Sequence, residues 1–146
     1  MSSILVVEGE GLITKLIKEN LGEEGYQTIM VLNGDDAVQL ALREMPSLAV
    51  LDVMLPGVDG YKVIQQLREH PKCMHIPIIV LGSYSSPAQK VRIFEAGADN
   101  YIVNPDPTGA LSADIIAELL ASVRSQLRRA QQCSLSPLTL LPGGLQ

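Results

Sequence analysis

The chain has 146 residues, 47% of them hydrophobic, with a formal net charge of −5 and a pI near 4.9. That length fits one domain with a short tail and is enough to bury a sheet on both faces. The acidic balance, with no basic stripe beyond Arg124, Arg128 and Arg129, argues against direct nucleic-acid binding by this segment. No apolar stretch approaches the roughly 18 to 20 uninterrupted residues that span a bilayer, and the chain runs from Met1 into an apolar segment with no charged leader, so a cytoplasmic protein away from membranes is expected. Cys73 and Cys133 lie outside any CxxC or CxxH spacing and read as free thiols rather than metal or redox ligands.

Five short apolar runs, 4–7, 28–32, 48–51, 76–81 and 101–103, are too short for helices and rich in Val, Ile and Leu, as strands buried on both faces are. Helical spacing fills the intervals. Leu12, Ile13, Leu16, Ile17 and Leu21 share one face of the first helix, Ala37, Val38 and Ala41 of the second, Ile64 and Leu67 of the third, and Val91 and Phe94 of the fourth. Alternating strand and helix implies an open parallel sheet covered on both sides, because parallel strands need crossover connections. Asn33-Gly34 opens the second helix and Pro46 ends it; Pro56-Gly57 turns after the third strand; Ser86-Pro87 opens the fourth helix and Gly97 closes it.

A last helix is expected over 108–131. Leu111, Ile115, Ile116, Leu119, Leu120, Val123 and Leu127 cover roughly half its circumference, wider than the ~100° stripe that docking on one sheet requires. Together with Ile93 on the preceding helix, this surplus predicts a homodimer through the last two helices, the alternative being that the tail folds back over it. The three arginines read as favourable cations near the helix C-terminus. Residues 132–146, with their Leu-Pro junctions and Gly143-Gly144, read as a linker or tail, which leaves 1–131 as the domain.

Ligands of an open parallel sheet bind beyond the carboxyl ends of its strands. The polar residues that fall there are Glu8, Gly9 and Glu10 after the first strand, Asp52 after the third, Gly82, Ser83 and Tyr84 after the fourth, and Asn104 and Pro105 after the fifth. Taken alone, an acid ending an apolar strand is as readily a turn cap. The segments Ile4-Leu5-Val6-Val7-Glu8, Leu51-Asp52-Val53-Met54-Leu55-Pro56-Gly57-Val58-Asp59-Gly60, Ile76-Pro77-Ile78-Ile79-Val80-Leu81 and Glu95-Ala96-Gly97-Ala98-Asp99-Asn100-Tyr101 together resemble response-regulator receiver domains of two-component signalling, in order and spacing from about residue 3 to 128.

The resemblance implies a flavodoxin-like doubly wound α/β fold, with a five-stranded parallel sheet in the order 2-1-3-4-5 and an extended last helix. It also implies an aspartyl phosphorylation switch, in which a carboxylate takes a phosphoryl group from a sensor histidine kinase or phosphotransfer protein with the help of Mg²⁺. Asp52 matches the acceptor. Glu8, Asp52 and the Met54 backbone carbonyl match the metal-facing positions. The second acid of the usual pair is replaced by Gly9, the hydroxyl residue after the fourth strand by Gly82, and the lysine before proline after the fifth strand by Asn104 before Pro105. Glu10 is a candidate substitute for the lost metal-side acid, and otherwise a first-turn acid favoured by the helix dipole. Ser83 is a candidate substitute for the lost hydroxyl. Tyr101 matches the aromatic switch residue of the family, a static half-buried tyrosine being the alternative. The Asn104-Pro105 peptide is expected to be cis, Glu8 to lie close beside Asp52, and His70 and His75 to lie remote from the acidic pocket.

Two functions compete: a phosphorylated receiver, with no enzyme activity beyond self-phosphorylation, and a phosphorylation-independent pseudo-receiver acting as a dimerisation or docking module. A flavin or nucleotide enzyme is a poor third, since no glycine-rich phosphate loop follows the first strand and aromatic content is 3%. Leu135-Ser136-Pro137-Leu138-Thr139-Leu140-Leu141-Pro142-Gly143 resembles the segment that opens diguanylate cyclase catalytic domains, except that Leu140 stands where glycine is usual; an unstructured end is the other reading.

Overall fold

The computed structural model describes residues 2–7, 11–31, 33–52, 60–83, 87–105 and 110–139, without the side chains of 11–14, 83 and 132–139. Strands and helices alternate: β1 (Ser3–Val7), α1 (Gly11–Glu23), β2 (Gln27–Val31), α2 (Ala37–Glu44), β3 (Leu48–Asp52), α3 (Gly60–Glu69), β4 (Ile78–Ser83), α4 (Pro87–Ala96), β5 (Asn100–Asn104) and α5 (Ala113–Thr139). All strand pairs are parallel and the order is β2-β1-β3-β4-β5. This is the expected flavodoxin-like topology.

The continuous apolar runs have the expected consequence. Successive side chains of each strand enter opposite faces, so Ile4, Val6, Leu48, Val50, Ile79, Leu81 and Ile102 pack against Ile17 and Leu21 of α1 and Leu119 and Val123 of α5. Leu5, Val7, Ala49, Leu51, Ile78 and Val80 pack on the other side against Ala37 and Ala41 of α2, Val63, Ile64 and Leu67 of α3, and Ile93 of α4. Cys73, in the segment before β4, is fully buried in this second layer, where burial pushes its thiol pKa up.

Local chemistry sets the boundaries. Asn33 Oδ1 accepts the Asp36 N–H at 3.1 Å ahead of α2, and Met45 ends that helix in a left-handed conformation (φ 47°), with Pro46 unable to continue it. Strand β4 begins at Ile78, two residues later than its apolar run. The reason is that the Ile76 N–H turns back to Cys73 O and Pro77 has no N–H to offer, while Pro77 O accepts from Ala49. Ser112 caps α5, its Oγ accepting the Ile115 N–H at 3.2 Å, so this helix starts five residues later than expected. It then runs on to Thr139, past Pro137, and Arg124, Arg128 and Arg129 therefore lie within the helix and not in its last turn. Arg124 instead pairs with Glu24 beyond α1.

The expected face of α4 is corrected. Ile93 is buried (1% exposed) while Val91 and Phe94 are 54% and 45% exposed, so Ile93 is part of the core and adds nothing to an outer apolar surface. Short helices with few apolar residues allow more than one stripe, and here the end of the helix fixes its rotation. Gly97 (φ 122°) receives Arg68 against it, and the Ala98 N–H bonds Ile93 O.

Candidate functional site

At the carboxyl edge of the sheet, β3 ends on Asp52 and β5 on Asn104. Asp52 is half-buried and lies opposite Leu81; Leu81 lies opposite Ile102, and Ser83 opposite Asn104. Asp52 follows Val50 and Asn104 follows Ile102 by two residues, and both Val50 and Ile102 belong to the α1/α5 layer. The pleat therefore puts Asp52 and Asn104 on the same face, two strands apart, or roughly 10 Å laterally. The strands bring these two positions to one rim as the sequence pattern required.

Asn104 is 7% exposed and its Nδ2 donates to Ala110 O at 3.2 Å, tying the end of β5 to the chain that enters α5. An asparagine nitrogen stands two bonds beyond Cβ and a lysine ammonium four, so this side chain is neutral and shorter than the lysine of a complete pocket. Gly82 is buried within β4 opposite Val103, and Ser83 is the last residue of that strand. Tyr101 is buried on the opposite face (8% exposed), with Lys90 Nζ of α4 5.9 Å from its ring centroid. Pro105 is exposed. The Asn104-Pro105 peptide is trans, since no cis bond occurs among the described residues. The cis expectation was wrong: trans is the intrinsically preferred isomer even before proline, and the Asn104 amide bonds Ala110 O with this peptide trans. Glu8, Gly9, Glu10 and Met54 lie outside the described residues, and with them the expected closeness of Glu8 to Asp52.

The opposite, amino-terminal edge holds a clasp that the sequence reading did not find. Arg68, at the end of α3, donates to Gly97 O (2.9 Å), Met74 O (3.0 Å) and Ile76 O (2.6 Å), and pairs with Asp99 Oδ2 at 2.7 Å. Asp99 also accepts the Ile78 N–H at 2.8 Å. The Gly97-Ala98-Asp99 run carried the signal, but its arginine partner is 31 residues away. His75, exposed before β4, lies at this same edge, remote from Asp52.

The family model of the response regulator receiver domain matches residues 4–115. This chain belongs to that family. The receiver is 37% identical over 138 residues to the phosphate regulon transcriptional regulatory protein PhoB of Rhizobium meliloti, covering 94% of this chain and 57% of PhoB. It spans only about half the length of the curated relatives it matches. Among solved structures, the receiver domain of a signal transduction histidine kinase from Syntrophus aciditrophicus superposes with a TM-score of 0.75 at 34% identity, over 88% of this chain and 91% of that one. The BeF3-activated N-terminal receiver domain of Klebsiella pneumoniae RstA gives 0.71 at 33% identity, over 86% and 98%. Receiver domains work with histidine kinases or phosphotransfer partners and normally bind Mg²⁺ at the phosphorylation site. No helix among the described residues is long and apolar enough to cross a membrane.

Proposed function

We propose that Asp52 accepts phosphate from a sensor histidine kinase or phosphotransfer protein, and does so more slowly or less stably than the acceptor of a receiver with a complete pocket. The observation that carries this reading is the placement of Asp52: a half-buried carboxylate ending a strand otherwise buried on both faces, on the rim face it shares with Asn104. A carboxylate oxygen of Asp52 forms the new bond to phosphorus as the bond to the donor nitrogen breaks, and the electron pair leaves with the donor. Transfer of this kind depends on positioning and on neutralising the phosphoryl oxygens. Asp52, Glu8 and the Met54 carbonyl, with Glu10 nearby in sequence, are oxygen donors of the kind a hard divalent cation takes, and bound Mg²⁺ supplies that neutralisation. Gly82 brings no hydroxyl, which leaves Ser83, the next residue in sequence, as the candidate substitute. Asn104 in place of a cation removes a charged hydrogen bond of about 1.5 to 3 kcal/mol, equivalent to roughly ten- to a hundredfold in rate or phospho-state lifetime. Pro105 follows Asn104 at the rim, and Tyr101, on the opposite face of the sheet, is a largely static core residue.

In this reading the domain is cytoplasmic, performs no catalysis beyond its own phosphorylation, and forms a homodimer through α4 and α5. It passes its state along α5 into residues 132–146, a linker that begins as a helical continuation and leads to an output of the diguanylate-cyclase type. A second reading, a phosphorylation-independent docking module, is favoured by the exposed Val91 and Phe94 and by the bond of the Asn104 amide to Ala110. Intact-mass measurement after incubation with acetyl phosphate and Mg²⁺ separates the two. A phosphoryl adduct that Asp52→Asn abolishes supports the first, and no adduct under any metal concentration supports the second.

A further inference from the structure

At the amino-terminal edge, opposite Asp52, a cavity of about 710 Å³ opens between α5 and the segments that enter β4 and β5, lined among others by Arg68, Met74, His75, Asp99, Gln126 and Arg129. Gln126 of α5 is 8% exposed, and among the described residues its amide has no hydrogen-bond partner. Ser122, one turn earlier and equally buried, has its hydroxyl satisfied by Asn100 Nδ2 at 2.7 Å. The Gln126 amide lines the cavity and reaches its open side, with two donors and an acceptor to offer. Arg129 stands three residues on, on the same side of the helix; it is exposed and has no ion pair among the described residues. Across the cavity the guanidinium of Arg68 is already held by three carbonyls and by Asp99, so that wall is rigid and its charges cancel. The cation left over is Arg129, beside the Gln126 amide, the imidazole of His75 and the half-exposed thioether of Met74.

We propose that this cavity binds a small organic anion, a carboxylate or phosphate monoester with an apolar body. Its headgroup is held by Arg129 and Gln126 and its body lies along Met74. The planar fork of arginine fits either headgroup, and the volume suits a small molecule. Occupancy bridges α5 to the chain entering β4, at the sheet edge opposite Asp52. The proposal does not rest on the phosphorylation reading.

The test is a titration of the full chain with phenyl phosphate and with benzoate, followed by ¹H–¹⁵N NMR, with phenol as the neutral control. Saturating shifts of the Gly97 and Asp99 amides and of the Gln126 side-chain amide are expected with one or both anions, unchanged in Asp52→Asn, and not with phenol. Arg129→Ala should weaken binding roughly tenfold. Gln126→Leu should weaken it as well with the melting temperature of the free protein unchanged; a purely structural glutamine would lower the melting temperature and leave anion binding intact. Failure of both anions to saturate, equal binding of phenol, shifts confined to residues around Asp52, or unchanged binding by both variants would each overturn the proposal.

Discussion

Replacing Arg68 with methionine keeps the aliphatic stem of the side chain and removes its fork, which isolates the clasp at the amino-terminal edge. Four acceptors lose their donor: the carbonyls of Gly97, Met74 and Ile76 and the carboxylate of Asp99. The Arg68 side chain is only 22% exposed and that of Asp99 39%, so solvent replaces part of the lost interaction at Asp99 and less at Gly97 and Ile76. Charged hydrogen bonds contribute about 1.5 to 3 kcal/mol each, bonds sharing one donor group do not add, and the exposed portion is discounted for screening. The expected cost is therefore about 2 to 4 kcal/mol, or a drop in melting temperature of roughly 6 to 14 °C for a chain of this size. Urea denaturation followed by circular dichroism measures it, with the slope against denaturant unchanged. Arg68→Lys, able to reach only part of the acceptor set, should fall between. A loss below about 0.5 kcal/mol for Arg68→Met, the level of an ordinary surface change, would refute the clasp as a stabilising element.

Gly97→Ala should destabilise by about 2 to 3 kcal/mol, because φ of 122° is strained for an L-residue and the new Cβ would lie 2.6 Å from Arg68 Cγ; combining it with Arg68→Met should cost less than the sum in the same denaturation assay. Burial raises the Cys73 thiol pKa above its ordinary value, so its contribution is complete below the ordinary thiol range and is lost as pH rises through the raised value. Denaturation at neutral and at alkaline pH should thus show a steeper loss for the wild type than for Cys73→Ala, and parallel curves would contradict this. If the exposed Val91 and Phe94 form part of a homodimer surface, Val91→Glu with Phe94→Glu should give a monomer by light scattering with an unchanged melting temperature at low concentration.

Sheet and layers were legible because most strands are short runs of branched apolar residues; both faces of the β1, β3 and β4 runs are buried, while β2, at the sheet edge, is largely half-buried. The rotation of α4 was not, since Val91 and Phe94 fit a helical stripe as well as Ile93 does and only the docking of Arg68 on Gly97 decides between them. The end of α5 was missed for a similar reason: the Leu-Pro junctions of 132–139 read as irregular, yet the helical backbone continues through Pro137. At the rim, the pattern placed Asp52 and Asn104 at their strand ends, but it could not show that the Asn104 amide bonds Ala110. That bond joins two residues six apart in sequence, and no local propensity specifies it.

The most direct test of the impaired acceptor is the rate at which acyl phosphate labels the protein in saturating Mg²⁺, compared among the wild type, Asp52→Asn, and Gly9→Asp combined with Asn104→Lys. Slow labelling of the wild type, none of Asp52→Asn, and a rate roughly ten- to a hundredfold higher in the double variant are predicted. Labelling that persists in Asp52→Asn, or a double variant no faster than the wild type, would contradict the account.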